Sequence, residues 1–219
     1  MDLGLTTRPA PADTICNVTD LRALLSRAST QVAPELLGWR LSRTTTDGTV
    51  TVSLSEVEAY AGVDDPASHA YRGRTARTGV MFGPAGHLYV YFTYGMHWCC
   101  NVVTGSDGEA SAVLLRAGRV IEGMDLARTR RGPKVSRRAL ARGPATLTQA
   151  LGITGADDGT DLLSAGSIHL LPPPGGLPHP AVSCGPRVGV SRAPDVAWRF
   201  WLTGDDTVSA YKRSPRAAD

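Results

Sequence analysis

The stretch TVTVSLSEVEAY, residues 49–60, decides how this chain is read. Val50, Val52 and Leu54 alternate with Thr51, Ser53 and Ser55, the period of a strand with one buried face. Continued, that period carries Glu56, Glu58 and Tyr60 onto the face of the valines. An apolar face that ends in two carboxylates and a tyrosine marks the place where a strand leaves the core and enters a site. Just upstream, Asp47-Gly48 reads as a hairpin turn, so residues 39–45 are expected to form the partner strand.

Working outward, Leu21, Leu24 and Leu25 have the spacing of a short helix over residues 20–27. Ala33-Pro34-Glu35 places a proline at a helix start. Asp65-Pro66 resembles an N-cap followed by an N1 proline, which predicts a helical turn carrying His69. Arg72, Arg74 and Arg77 follow in a glycine-containing loop. Residues 87–93 and 96–103 read as strands around a Tyr94-Gly95 turn, a hairpin with a tyrosine at its tip. A further strand over 112–120 contains Arg116, and helices are expected over 122–131 and 145–151, the second stopped by Gly152. Residues 172–180 are a Pro/Gly-rich loop, and late strands are expected over 185–190 and 198–203. Strands mixed with short helices, without regular βαβ alternation, predict a single α+β domain over residues 18–213. Residues 1–17 are read as a flexible tail and 214–219 as a frayed end.

Composition narrows the function classes. The 219 residues carry a formal net charge of +3, too small by itself to identify a nucleic-acid binder. The positive charge is almost all arginine; Lys134 and Lys212 are the two lysines. Arginine suits phosphate contacts, although a GC-rich genome also yields arginine- and alanine-rich chains. No run of about 18 apolar residues is present, so no membrane helix is expected. The N-terminus lacks the basic and apolar segments of a secretory signal, and a cytoplasmic protein is expected. Cys16, Cys99, Cys100 and Cys184 form no CxxC pair and are read as small buried hydrophobes; His87, His169 and His179 show no metal-ligand spacing. No metal or cofactor is therefore expected.

Polar and aromatic residues concentrate in Glu56 to Tyr60 with His69, in residues 88–101, and in residues 114–117. EVEAY, DDPASHAYRGRT, MFGPAGHLYVYFTYGMHWCCNVV and AVLLRAG, with RGPATLTQALGI at 142–153 and PRVGVSRAPDVAWRFWL at 186–202, together resemble the alkyladenine (3-methyladenine) DNA glycosylase family. The resemblance covers residues 20–205 in one order. It implies a curved antiparallel sheet flanked by short helices with a protruding hairpin. It also implies a monomer that flips alkylated or deaminated purines out of duplex DNA and hydrolyses the bond to the sugar.

The resemblance also assigns roles. Glu58 matches the general base that activates water, and Arg116 and the backbone carbonyl of Val188 match the other groups holding that water. Tyr60, His69 and Tyr91 match the aromatic walls around the flipped base. Asn101 matches the residue that crowds the 2-amino group of normal guanine. Tyr94 matches the wedge that fills the gap in the duplex, with Met96, His97, Arg72 and Arg74 beside it on the DNA. Thr146, where a lysine is expected, and His97, where relatives often carry an aromatic, depart from the pattern. Glu56 is read as structural. Tyr89 and Phe92 are placed in the core; Tyr91 shares the face of Tyr89, so only the motif selects it. The arginines at 128, 130, 131, 137, 138 and 142 either track phosphates or form a solvated face. Both lysines lie away from these motifs in sequence, so hydrolysis without a Schiff-base lyase step is expected. Two other readings are a non-catalytic module that binds damaged DNA and a metal hydrolase using Glu56, Glu58 and His69.

Overall fold

The computed structural model describes residues 18–93, 95–173 and 181–217. Its centre is the strand that opened the sequence reading. β1 (Arg40–Thr45) turns through Thr46 and Asp47 into β2 (Gly48–Tyr60), and Gly48 opens β2 at φ 125°. β3 (Leu88–Thr93) and β4 (His97–Val103) form the second hairpin, and β5 (Ala112–Glu122) joins it to β2. β6 (Ile168–Leu171) pairs with β1. β7 (Val182–Gly185) pairs with β8 (Arg199–Leu202), which adds to the far end of β2. Every pairing is antiparallel, and the order β3-β4-β5-β2-β1-β6 makes one curled sheet.

Helices α1 (Val18–Leu25), α2 (Ser29–Glu35), α3 (Met124–Arg131) and α4 (Pro144–Leu151) supply buried residues to the same apolar cluster as the sheet. They therefore cover one face of the sheet and leave the other available for a site. The fold is the expected α+β arrangement of a curved antiparallel sheet with short helices and a hairpin.

β2 does not keep a single period. Val50, Val52 and Leu54 belong to the core, but so do Val57 and Ala59, an odd step later. The register shifts on both sides of Glu56, and β5 changes phase with it, from Val113 and Leu115 to Val120. Glu58 and Tyr60 therefore lie on the face opposite the valines, not on the same face as strict alternation predicts. Gly118 permits the close approach: a Cβ there would sit 2.4 Å from the Ser53 carbonyl oxygen.

Several boundaries also differ from the sequence expectation. Pro34 lies in the last turn of α2, which begins at Ser29; the Ser29 amide bonds to Ser111 Oγ and its hydroxyl donates to the Tyr60 carbonyl. Asp65-Pro66 opens a run of turns instead of a helix, with the Ala67 amide on Asp65 Oδ1 at 3.0 Å. Residues 186–190 form a loop, because Arg187 is drawn into a buried ion pair and the Val188 amide bonds to Glu58. β6 had no alternating signal to announce it. Cys99 and Cys100 are buried as expected, whereas Cys184 is exposed on edge strand β7. The 172–180 loop lies largely outside the described residues, as does the 1–17 tail. Among the described residues no helix is long and apolar enough to cross a membrane, and no group of three or more His, Cys, Asp or Glu is placed to hold a metal.

Candidate active site

Strand pairing lays out the open face. Tyr89 stands opposite Asn101, Tyr91 opposite Cys99, Asn101 opposite Leu114, and Leu114 opposite Glu58. With period two, Tyr89 and Tyr91, Cys99 and Asn101, Leu114 and Arg116, and Glu58 and Tyr60 share one side of four strands. Turns at 66–69, the loop at 188–192 and the C-terminal residues 212–216 close over them and leave a cavity of about 850 Å³. Tyr60, His69, Tyr91, Asn101, Arg116 and Val188 all line it. The sequence-assigned pocket residues thus meet at one place.

Glu58 has no exposed surface and sits behind Tyr60, Arg116 and Val188. Its Oε2 accepts from the Tyr60 hydroxyl at 2.9 Å and from Arg116 Nη1 at 3.4 Å; its Oε1 accepts from the Val188 amide at 2.7 Å. The Val188 peptide therefore contributes its N–H to the carboxylate, an interaction the carbonyl role implied by resemblance did not foresee. A carboxylate has about four acceptor positions, so three donors leave room for one more, such as a water. Burial and the negative Glu58 push the Tyr60 hydroxyl well above its ordinary range, so it stays a proton donor.

Glu56 is also fully buried, but it is spent on structure. It accepts from Arg116 Nε, Arg199 Nε, the Ser209 amide and the Ser209 hydroxyl, at 2.7–2.9 Å. Burial disfavours its charge, yet Arg116, Arg199 and Ser209 outweigh burial and hold its carboxyl below the ordinary value. Two carboxylates and two guanidiniums make the cluster formally neutral. Arg116 bridges the two glutamates and so fixes Glu58 relative to the frame.

The aromatic wall is built in layers. His69 meets Tyr91 edge to face with ring centroids 4.5 Å apart, and its Nδ1 lies 3.1 Å from the Tyr89 hydroxyl. Tyr89, 1% exposed, stacks behind Tyr91 at 5.6 Å. The core placement of Tyr89 thus holds, but it also backs the site. Asn101 is fixed by its Nδ2 on the Tyr89 carbonyl at 3.2 Å. The His69 ring is open to the cavity yet walled by protein; that desolvation, with Arg77 adding, pushes its pKa down to about 4. The ring is thus expected to stay neutral on acidification to about pH 4. A depressed histidine pKa means the unfolded chain binds more protons, so this contribution is intact above about pH 6.5 and is lost as pH falls toward 4. An NMR titration of the five histidines measures it, and a His69 midpoint near 6.5 would contradict it.

Other assigned residues lie outside the cavity. Met96, 69% exposed, and His97 stand near the end of the β3–β4 hairpin, and Tyr94 falls outside the described residues. Phe92, expected in the core, is exposed and packs on the tilted ring of Trp98. Arg72 and Arg74 are exposed on the loop after His69. Thr146 bonds within the first turn of α4 through its hydroxyl on the Gly143 carbonyl. Of the six arginines read as phosphate trackers or a solvated face, Arg130, Arg131 and Arg142 instead tie backbone carbonyls.

Two features escaped the sequence. Arg187 and Asp65, both without exposed side-chain surface, form a paired ion bridge. The Arg187 guanidinium lies 4.7 Å from the Tyr60 ring and 5.2 Å from the Trp198 ring. It pins the turns that carry His69 and the loop that carries Val188 to the same strand end. The second feature is Lys212, remote in sequence from every motif but on the cavity wall, as are Ser214, Pro215 and Arg216 from the stretch read as a frayed end.

Residues 23–206 match the family model described as methylpurine-DNA glycosylase. The chain belongs to that family. Among its relatives, a Streptomyces avermitilis protein is 54% identical over 89% of this chain and 93% of its own length. Proteins from Nocardia farcinica, 53% identical over 81% of this chain and 86% of their own, and Burkholderia lata, 48% identical over 86% and 89%, are similar to it as well. All three bear the name "Putative 3-methyladenine DNA glycosylase". Membership makes this chain a DNA glycosylase by class, with DNA as its substrate and DNA repair as its field.

Proposed function

We propose that the protein flips alkylated or deaminated purines out of duplex DNA and hydrolyses their N-glycosidic bond, leaving an abasic site. The classes are 3-methyladenine, 7-methylguanine, hypoxanthine and ethenoadenine. The observation that supports this best is Glu58, a buried carboxylate steered by three donors directly behind an aromatic-walled cavity.

A base must leave the stack before its glycosidic bond is reachable. The cavity receives it between Tyr60, His69 and Tyr91, and Asn101 crowds the 2-amino group of normal guanine. 3-Methyladenine and 7-methylguanine are cationic while bonded to the sugar, and tyrosine faces favour them by about 0.5–2 kcal/mol; a neutral base such as hypoxanthine must also be protonated to depart. A neutral His69 adds no repulsion. The fourth acceptor position of Glu58 holds the water, and the carboxylate stabilises the oxocarbenium-like sugar as the base departs. Arg116 and the Val188 peptide keep Glu58 in place. Tyr94, with Met96 and His97, fills the vacancy in the duplex, and Arg72 and Arg74 meet its backbone.

Lys212 on the cavity wall removes one argument against a lyase step, the distance of the lysines from the site. The reading as a hydrolase without strand cleavage now rests on Glu58. Single-turnover base release from duplexes carrying each of the four lesions, with EDTA present and strand cleavage at the abasic site scored beside it, tests it; cleavage accompanying release would establish a lyase step. Release of at least one cationic base, indifferent to chelator, is expected. Tight lesion binding with no release would favour the binding-module reading, and loss of activity with chelator would favour a metal hydrolase.

A further inference from the structure

The family match ends at residue 206, yet the chain continues along the site. Its course is held at successive points. The Thr207 hydroxyl and amide donate to Asp205 Oδ1, and Arg142 Nε donates to the Val208 carbonyl at 2.8 Å. Ser209 gives its amide and hydroxyl to Glu56 and takes Arg199 Nη2 on its carbonyl at 2.7 Å. The Gly189 amide donates to the Lys212 carbonyl at 2.9 Å, tying this segment to the loop beside Glu58. So anchored, the strap brings Lys212, Arg213 and Arg216 onto the cavity wall near Arg192. Arg213 is paired with Asp195; Lys212 and Arg216 are exposed cations.

With Arg213 matched by Asp195, Arg192, Lys212 and Arg216 leave the opening with an excess of positive charge that an anion placed between them would neutralise. A base entering this cavity brings its own phosphodiesters to the opening. We infer that residues 209–216 form a phosphodiester-binding wall, in which Lys212 and Arg216 hold the DNA backbone beside the flipped nucleotide. The inference rests on the cavity being the seat of that nucleotide. Ser209 bonds directly to Glu56 and accepts from Arg116 Nη2 at 3.4 Å, so the wall meets the carboxylate pair at Glu56 itself and reaches Glu58 through one side chain, Arg116.

Anisotropy titrations over a range of salt, with lesion-bearing and undamaged duplexes, test this on Lys212→Ala, Arg216→Ala and their double variant. Each lost contact is expected to lower the slope of log affinity against log salt by about 0.9, with affinity falling several-fold on both duplexes. Arg27→Ala, which breaks a surface pair with Glu35 on the α1–α2 side, is the charge-matched control and should leave the slope unchanged. Wild-type affinity and slope in the double variant would overturn the inference. So would a borohydride cross-link to abasic DNA formed by wild type and absent in Lys212→Ala, since Lys212 would then reach the sugar carbon. Base release by wild type is scored separately. Release with an unchanged slope defeats the phosphate wall alone, and a lowered slope without any release defeats only the glycosylase mechanism.

Discussion

Glu58→Gln is expected to slow base release by about 10²–10⁴-fold, the usual worth of a positioned general base, while lesion DNA remains bound. Glutamine keeps the shape but presents an NH₂ where one carboxylate oxygen stood. Either the Val188 amide or the Tyr60–Arg116 pair then faces a donor instead of an acceptor. A buried donor left unmatched costs about 1–3 kcal/mol, so some loss of stability accompanies the loss of rate. Single-turnover release on the preferred lesion, set beside a thermal melt, separates the two effects. A variant folded as wild type and within tenfold of its rate would remove Glu58 from the chemistry.

The largest stability effect is expected at Arg187. Arg187→Ala leaves the Asp65 carboxylate buried with no cation, and also strips the Ala59 carbonyl and the Tyr60 ring of their partner. Breaking a buried pair from one side costs about 3–5 kcal/mol. For a chain of this size that lowers the melting temperature by about 6–20 °C. Removing both charges, with Arg187→Met and Asp65→Leu together, should recover part of the loss, because no charge is then stranded. Denaturant midpoints measure all three proteins. A single variant that loses under 1 kcal/mol would show that the turns at 65–70 and the loop at 186–190 are held by something else.

How much of this was readable from residues alone depends on the range of the interaction. Both hairpins, α4 with Gly152 and the strand containing Arg116 follow local rules, and the pocket set followed from the resemblance. The face change at Glu56 did not, because alternation is a property of one strand and the irregularity is shared by two. Pro34 misled because a proline signals a helix start only when the following residues carry an amphipathic repeat; Leu36 and Leu37 are instead buried outside the helix. Arg187 and Asp65 are 122 residues apart, and no local pattern marks an arginine as buried. Lys212 reaches the cavity through a backbone bond to Gly189, which side-chain identity does not announce.

The shared irregularity of β2 and β5 has a consequence for how such a chain can vary. Leu54 and Val57 face Gly118 and Leu115 across the sheet, so both strands take the same three-residue step and exchange core-facing and cavity-facing positions together. A residue gained or lost in one strand alone would put its half of the sheet out of step with the other. The Glu58 carboxylate would then enter the hydrocarbon interior, or the ladder beside it would be left unmatched. At this point in the molecule, insertions and deletions are tolerable only in compensating pairs, whereas most single substitutions around it need only fit.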